Sequence, residues 1–121
     1  LLNNMGKVFI CTVDKLNSEK TITKWIEEWK DEIILFKDKL SGRIKIFSSI
    51  CPHFGGEIYL DKTNNLRCKW HDWKFCSETG KCLTYPIRGK LNPYDFEVKP
   101  QSLKTYEVIE LEKGDIYAIK K

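Results

Sequence analysis

The sequence predicts an all-β fold, a small antiparallel sandwich or barrel with two loops at its tip. Two observations carry this prediction. Short segments rich in β-branched and aromatic residues recur along the chain, at 7–13, 32–37, 43–49, 106–108 and 114–117. Turn residues separate them, among them Ser41-Gly42, Thr79-Gly80 and Gly114. A length of 121 residues suits one domain, so we expect a single domain over residues 1–121.

The first half of the chain is predicted to form strands that lead towards Cys51. In order, we expect a strand at 7–13, a turn at 14–20, a strand and then a turn over 21–30, and a hairpin of 32–37 and 43–49 joined by 38–42. The segment 21–30 also fits one face of a helix, but its β-branched start favours the strand. Trp25 and Trp29 are expected to be packing residues.

The second half is predicted as short strands around one long loop. In order, we expect a strand at 57–60, a polar turn at 61–65, a hairpin at 74–83 and a closing hairpin of 106–108 and 114–117. The segment 85–101 contains three prolines and is expected to be irregular. It either covers the neighbouring site, docks a partner or is a plain surface loop.

Two short pairs of metal ligands follow the central hairpin. The first box is C-x-H, Cys51 and His53, and the second is C-x-x-H, Cys68 and His71. Thiolate and imidazole donors suit zinc or an iron–sulfur cluster and not magnesium or calcium. Mixed zinc fingers place both Cys in one pair and both His in the other, whereas each box here holds one of each. The ligand order therefore favours a cluster over zinc.

This pattern resembles the Rieske [2Fe–2S] family, in which two Cys bind one iron and two His the other. The resemblance rests on both boxes and on the Trp73, Phe75 and Thr79-Gly80 that follow. It implies a [2Fe–2S] cluster and a cluster-binding subdomain over about 48–84. The ligands it implies are Cys51, His53, Cys68 and His71. The sequence departs from the family at Asp72, where many members carry Gly, and at Gly56, where other residues are common.

The resemblance implies an electron carrier without a catalytic site of its own. A soluble ferredoxin would pass single electrons from a reductase to an oxygenase or another terminal enzyme. Alternatively, the chain is a Rieske domain or small subunit of a larger oxygenase, hydroxylase or nitrite reductase. An alternative of another class is a structural zinc module used for binding. We expect Phe54 and Trp70 to form an apolar collar for docking beside the exposed His53 and His71.

The potential of such a cluster is expected to be low. High-potential members of the family add a Cys in each box and hydroxyl side chains after the second His. The corresponding positions here are Gly56, Trp70, Trp73 and Phe75. None of these side chains can form a disulfide or donate a hydroxyl hydrogen bond to a cluster sulfur.

Charge and composition bound the partners and the compartment. The net charge is +4 without a dense basic run, so we expect a solvated Lys-rich surface and no nucleic-acid partner, although a mild field could steer an acidic redox partner. The apolar runs are too short for a membrane span. No signal peptide is visible, and either Met5 is the natural start or the chain is part of a larger protein.

The three cysteines outside the boxes, Cys11, Cys76 and Cys82, indicate a reducing, cytoplasmic setting because their number is odd. Cys76 and Cys82 flank a turn at positions that could face each other across the strands, but thiols are expected. Cys11 is expected to be a small buried strand residue and not a redox thiol, because no cationic neighbour is evident to lower its pKa.

Overall fold

The structure is a computed structural model, and it describes residues 7–52, 55–70, 72–83, 101–110 and 113–120. Within these ranges the chain forms nine β-strands, a short α-helix and a 3₁₀ turn. In chain order they are β1 (Lys7–Thr12), α1 (Val13–Glu19), β2 (Thr21–Ile26), the 3₁₀ turn (Glu27–Trp29), β3 (Asp31–Lys37), β4 (Ile44–Ser48), β5 (Ile58–Leu60), β6 (Leu66–Cys68), β7 (Lys74–Phe75), β8 (Thr105–Glu110) and β9 (Asp115–Lys120). Strands prevail, so the all-β prediction is confirmed.

Six of the strands form an antiparallel sheet in the order β1-β9-β8-β4-β3-β2. Its two outer strands lie close to each other: Lys24 on β2 donates hydrogen bonds to the carbonyl oxygens of Phe9 (3.5 Å) and Ile10 (3.2 Å) on β1. The sheet is therefore nearly closed, and the predicted antiparallel barrel base is confirmed. The predicted closing hairpin is the β8–β9 pair, which lies between β1 and β4.

The other three strands, β5, β6 and β7, form a small antiparallel sheet that packs on the barrel. Its buried residues Ile58, Leu66 and Phe75 share one core with Phe36 and Phe47 of the barrel sheet. This second core also contains the cysteines of both boxes. The small sheet therefore anchors the two boxes to the barrel.

Strand β3 is the element that both cores share. Ile33 and Leu35 lie in the barrel core, whereas Ile34 and Phe36 lie in the core beneath the small sheet. A strand that is buried on both faces has a continuous apolar run in place of a polar–apolar alternation. This accounts for the four consecutive apolar residues at 33–36.

A buried carboxylate joins three turns at the end of β6 opposite to Cys68. Asp38, in the β3–β4 turn, accepts hydrogen bonds from Asn64 Nδ2 (2.7 Å), Ser77 Oγ (2.8 Å), Ser41 Oγ (2.8 Å) and the Ser41 N–H (3.0 Å). Burial alone would raise the pKa of Asp38, but these hydrogen bonds lower it to about 2. Because Asn64 precedes β6 and Ser77 follows β7, Asp38 holds the small sheet on the barrel.

The turn predicted at 14–20 is wrong, because the helix α1 occupies Val13–Glu19. Thr12 caps the helix by accepting a hydrogen bond from the Lys15 N–H (3.1 Å), and Asp14 lies in the first turn, where a negative charge is favourable. Leu16 is the buried residue of the helix and packs into the barrel core. Val13 is the only other residue of the helix that packs on this core, and two apolar contacts in seven residues leave no clear periodic signal in the sequence.

The two tryptophans of the segment 21–30 differ. Trp29 stacks on Tyr106 with ring centroids 4.5 Å apart, so its predicted packing role is confirmed. The same prediction is wrong for Trp25, which is 50% exposed and directs its indole N–H towards Glu27 (3.5 Å). On β2, Ile22 and Ile26 point into the barrel core, and Trp25 lies on the opposite face of the strand.

The remaining predictions of local structure divide between confirmed elements and residues outside the described ranges. The hairpin at 32–49, the short strand at 57–60 and the polar turn that follows it are confirmed as β3–β4, β5 and the β5–β6 connection. The predicted irregular segment lies outside the described residues from 85 to 100.

Candidate metal centre

The first box follows β4 in a tightly closed loop. The Cys51 N–H donates to the Gly56 carbonyl oxygen (2.7 Å), and the Cys51 carbonyl oxygen accepts from the Gly55 N–H (2.9 Å). Gly55 has φ +77°, a left-handed conformation that glycine adopts without strain. Position 55 is therefore one at which this loop favours glycine.

The second box follows β6 in a loop of the same form. Cys68 is the last residue of β6; its N–H donates to the Trp73 carbonyl oxygen (3.0 Å), and its carbonyl oxygen accepts from the Asp72 N–H (2.8 Å). A hydrogen bond from the Lys69 N–H to the Glu57 carbonyl oxygen (2.9 Å) ties this loop to the residue before β5. Both boxes thus lie on short loops closed at a cysteine.

Gly56 brings the two cysteines together. Its carbonyl oxygen accepts the hydrogen bond from Cys51, and a β-carbon on it would stand 2.7 Å from the Cys68 Sγ atom. The two cysteines are 2% and 0% exposed and both belong to the second core, and Gly56 contacts Cys51 through the backbone and Cys68 through its thiol. His53 and His71 lie outside the described residues.

These residues fit a group that is bound through sulfur. All five cysteines are within the described ranges, and none of them forms a disulfide. Because Gly56 has no side chain, Cys68 packs directly against the backbone of the first loop, where a β-carbon would stand 2.7 Å from its Sγ atom. Two buried sulfurs on facing loops are the thiolate half of the donor set that the sequence predicts.

Ion pairs surround the second box. Arg67, which precedes Cys68, pairs with Asp61 (Nε–Oδ2 2.8 Å) and with Asp72 (Nη1–Oδ1 2.7 Å). Lys69 pairs with Glu57 on the solvent side. From the sequence, Asp72 is recognised only as a departure from the Rieske family, and Arg67 is not predicted to belong to the site. An Asp four residues after Cys68, at the spacing of Gly55 from Cys51, was the available signal.

The buried cysteines outside the boxes are divided between the two cores, with Cys11 in the barrel core and Cys82 in the second core. Cys11 is buried in the barrel core as predicted, and burial raises its pKa although Lys15 and Lys24 act in the opposite direction. The predicted absence of cationic neighbours is therefore wrong, whereas the predicted burial of Cys11 is confirmed. Phe75 pairs with Cys82, so Cys76 and Cys82 lie on opposite faces of their hairpin and do not face each other.

The exposed surface next to the boxes is partly apolar. Trp70 is 66% exposed and Ile50 is 39% exposed, and both lie within two residues of a box cysteine. The exposure that the collar prediction requires of Trp70 is present, whereas Phe54 lies outside the described residues. Among the described residues, no helix is long and apolar enough to cross a membrane.

The fold and the paired cysteine loops define an iron–sulfur domain of the electron-transfer class, and comparison with known proteins gives the family. The family model of the Rieske [2Fe-2S] domain matches residues 6–107. The chain belongs to the Rieske [2Fe–2S] family. Its cofactor is therefore a [2Fe–2S] cluster and its role is electron transfer, so the zinc alternative is set aside.

Relatives of two sizes match the sequence. The 3-phenylpropionate/cinnamic acid dioxygenase ferredoxin subunit of Photorhabdus laumondii is 30% identical over 101 residues, which cover 78% of this chain and 89% of the relative. Cholesterol 7-desaturase nvd 1 of Ciona intestinalis is 30% identical over 82 residues, 65% of this chain and 17% of the relative. The 3-chlorobenzoate-3,4-dioxygenase oxygenase subunit of Comamonas testosteroni is 34% identical over 58 residues, 46% of this chain and 13% of the relative.

Solved structures agree on the fold. The plasma membrane Rieske protein PetC3 of Synechocystis PCC 6803 superposes with a TM-score of 0.67 at 20% identity and covers 92% of this chain and 97% of that chain. The terminal oxygenase of carbazole 1,9a-dioxygenase from Novosphingobium sp. KA1 gives a TM-score of 0.67 at 18% identity, over 95% of this chain and 30% of that chain. The predicted Rieske-type fold is confirmed.

Proposed function

We propose that the chain is a ferredoxin-like carrier whose cluster is held by Cys51 and Cys68 on one iron and by His53 and His71 on the other. The observation that carries this proposal is that the two buried cysteines, one from each box, both contact Gly56. When bound, the cluster supplies one-electron transfer. Four protein ligands leave no position for a substrate, so the chain has no catalytic site of its own.

The residues around the boxes support a low midpoint potential, towards the bottom of the Rieske range at about −150 mV. Trp73 and Phe75 are buried and carry no hydroxyl that could donate to a cluster sulfur. Gly56 and Trp70 are in contact, but neither residue carries a thiol, so these two positions supply no disulfide. A redox titration tests this, and a strongly positive midpoint would refute it.

The partners we propose are a reductase that supplies the electron and a terminal oxygenase that receives it. The match over 89% of a dioxygenase ferredoxin subunit supports this choice, because the chain corresponds to nearly all of that protein. Exposed Trp70 and Ile50 beside the boxes give a partner an apolar contact close to the cluster. The five cysteines outside any disulfide support a reducing compartment, the cytoplasm.

The second candidate is the same electron-transfer module as a domain or subunit of a larger oxygenase, hydroxylase or nitrite reductase. The observation that favours it is the 17% and 13% coverage of the sterol desaturase and the chlorobenzoate dioxygenase subunit. The mass of the protein isolated from its native source separates the two candidates. A single chain near the 14.3 kDa of this sequence supports the ferredoxin, and a much larger chain supports the domain.

The ligand assignment is tested by purification under anaerobic conditions with analysis of iron, sulfide and zinc. We expect a red-brown protein with a paramagnetic signal on reduction. Cys51→Ser should lose the cluster, His71→Cys should keep one with an altered spectrum, and the control Cys76→Ser should resemble the wild type. A colourless protein with one zinc per chain and no sulfide would falsify the proposal.

A further inference from the structure

Four hairpin loops of this protein close in the same way. In each, the carbonyl oxygen of the first residue accepts from the N–H four residues later, and its N–H donates to the carbonyl oxygen five residues later. The eight hydrogen bonds measure 2.7 to 3.0 Å. The loops begin at Asp38, Cys51, Cys68 and Cys76. The same pattern of backbone hydrogen bonds thus occurs in four loops, and two of these loops contain the box cysteines.

The fifth residue of each loop is left-handed. Gly42, Gly55 and Gly80 have φ between +72° and +77°, and in the second box the equivalent residue is Asp72 with φ +57°. A left-handed conformation costs an ordinary residue roughly 1–2 kcal/mol, and Asp tolerates it better than most. The loop that carries His71 is therefore the only one of the four in which a side chain stands at this position.

Arg67 holds that side chain. Its Nη1 atom lies 2.7 Å from Asp72 Oδ1 and 3.4 Å from the Asp72 carbonyl oxygen, so one guanidinium nitrogen contacts both ends of the residue. Its Nε atom donates to Asp61 Oδ2 (2.8 Å). Asp61 is itself fixed by the N–H groups of Thr63 (2.8 Å) and Asn65 (3.0 Å). The side chains of Arg67, Asp61 and Asp72 are 23%, 16% and 71% exposed, and the two ion pairs link the second box to the turn at the other end of β6.

We propose that Arg67 is a positioning residue that holds Asp72 in its left-handed conformation and thereby fixes the loop of the second box, to which His71 belongs in the sequence. Arg67 contacts both the carboxylate and the carbonyl oxygen of Asp72, and the Asp72 N–H donates to the Cys68 carbonyl oxygen, so the clamp acts on the backbone that closes this loop. In the other three loops glycine needs no such clamp. The inference rests on the proposed ligand assignment of His71. A planar guanidinium is required because it reaches two carboxylates at once.

The test uses Arg67→Gln in the full chain with its cluster. We expect broadened paramagnetic signals of the reduced protein, because the second box then samples several arrangements. Bleaching of the visible absorbance by an iron chelator should become about tenfold faster, the effect typical of residues that orient metal ligands. Hydrogen exchange of the Asp72 amide, which donates to the Cys68 carbonyl oxygen, should also accelerate. The bleaching rate and the exchange rate of Arg67→Lys should fall between those of the wild type and those of Arg67→Gln.

Two further variants separate positioning from charge. Lys69→Gln removes the same charge from the neighbouring pair with Glu57, whose side chains are about half exposed, and should leave signal shape and bleaching within about twofold of the wild type. Asp72→Gly supplies a residue that adopts the left-handed conformation unaided. Adding Arg67→Gln to Asp72→Gly should therefore change little.

The possible outcomes are distinct. If Arg67→Gln behaves like Lys69→Gln, or is equally harmful in the Asp72→Gly background, the positioning role is wrong. If the wild type carries no iron–sulfur signal, the ligand assignment fails instead. Hydrogen exchange of the Asp72 amide in Arg67→Gln and Lys69→Gln then still decides whether Arg67 fixes this loop.

Discussion

A β-carbon added to Gly56 would stand 2.7 Å from the Sγ atom of Cys68, closer than non-bonded atoms approach. The same β-carbon would lie 3.0 Å from Cγ of the Trp70 ring. Gly56, three residues after the first box, is thus in contact with a cysteine of the second box. The two loops are packed with no space for even one methyl group between them.

Gly56→Ala should therefore lower cluster retention by about tenfold, because Cys68 must shift to make room for the methyl group. The iron and sulfide content per chain after gel filtration measures this. Gly42→Ala is the control, since nothing lies within 4 Å of its β-carbon and φ is +72°. It should cost about 1 kcal/mol of stability and leave the cluster content unchanged. Equal cluster loss in both variants would contradict the packing argument.

Asp38→Asn should lower the free energy of unfolding by about 3 kcal/mol, because a buried charge that accepts hydrogen bonds from three side chains is replaced by an amide. Thermal unfolding followed by circular dichroism measures the loss. Ser41→Ala is the control: it removes one partner of Asp38 in an exposed turn and should cost no more than about 1 kcal/mol. If both variants unfold at the same temperature, Asp38 does not anchor the small sheet.

Stability should fall in acid between about pH 4 and pH 2. Asp38 and Asp61 have a pKa of about 2 in the folded protein, against 3.8 for an ordinary Asp. Burial raises the pKa of Asp61, but hydrogen bonds from Asn65, Thr63 and Arg67 outweigh it. A lowered folded pKa contributes stability that is present above the unfolded pKa and lost as pH falls through the folded one. Unfolding free energies measured from pH 5 to pH 2 should therefore fall less steeply for Asp61→Asn than for the wild type; parallel curves would refute this.

Alkylation at neutral pH should label Cys76 before Cys11. Cys11 is buried, and burial raises its pKa. Cys76 is partly exposed; burial acts to raise its pKa, but hydrogen bonds from the side chain and N–H of Thr79 and from the Glu78 N–H lower it overall. Only the thiolate is the nucleophile. Peptide mass spectrometry after brief iodoacetamide treatment tests the order, and faster labelling of Cys11 would count against it.

The large elements were predictable because each has a local signal. The run at 33–36 and the Ser41-Gly42 turn define the central hairpin, and the spacing of the boxes indicated the cofactor. The helix α1 could not be read from the sequence, because its stability depends on Leu16 meeting a core that strands from the rest of the chain build. Trp25 and Trp29 are the same residue type and lie four positions apart in the sequence. Only the tertiary fold determines that Trp29 is packed and Trp25 is exposed.

The sequence was sufficient to predict the types of ligand at the site. It was not sufficient to predict the residues that pack against the ligands or hold their loops in place. Cys51 and Cys68 follow from spacing, whereas the contact of Gly56 with Cys68 depends on how two loops from different sheets meet. The role of Arg67 likewise depends on Asp61, six residues earlier, and on the left-handed backbone of Asp72. The order of Asp61, Arg67 and Asp72 along the sequence does not indicate that Arg67 contacts both carboxylates.

The position of β9 between β1 and β8 means that the first described strand finds its hydrogen-bonding partner near the other end of the sequence. During synthesis the ribosome releases β1 long before β9, and until β9 emerges the barrel remains open along β1. The strands β5, β6 and β7 are consecutive, and local pairings form faster than distant ones. On a translating ribosome, the small sheet that anchors the two boxes therefore forms before the barrel is complete.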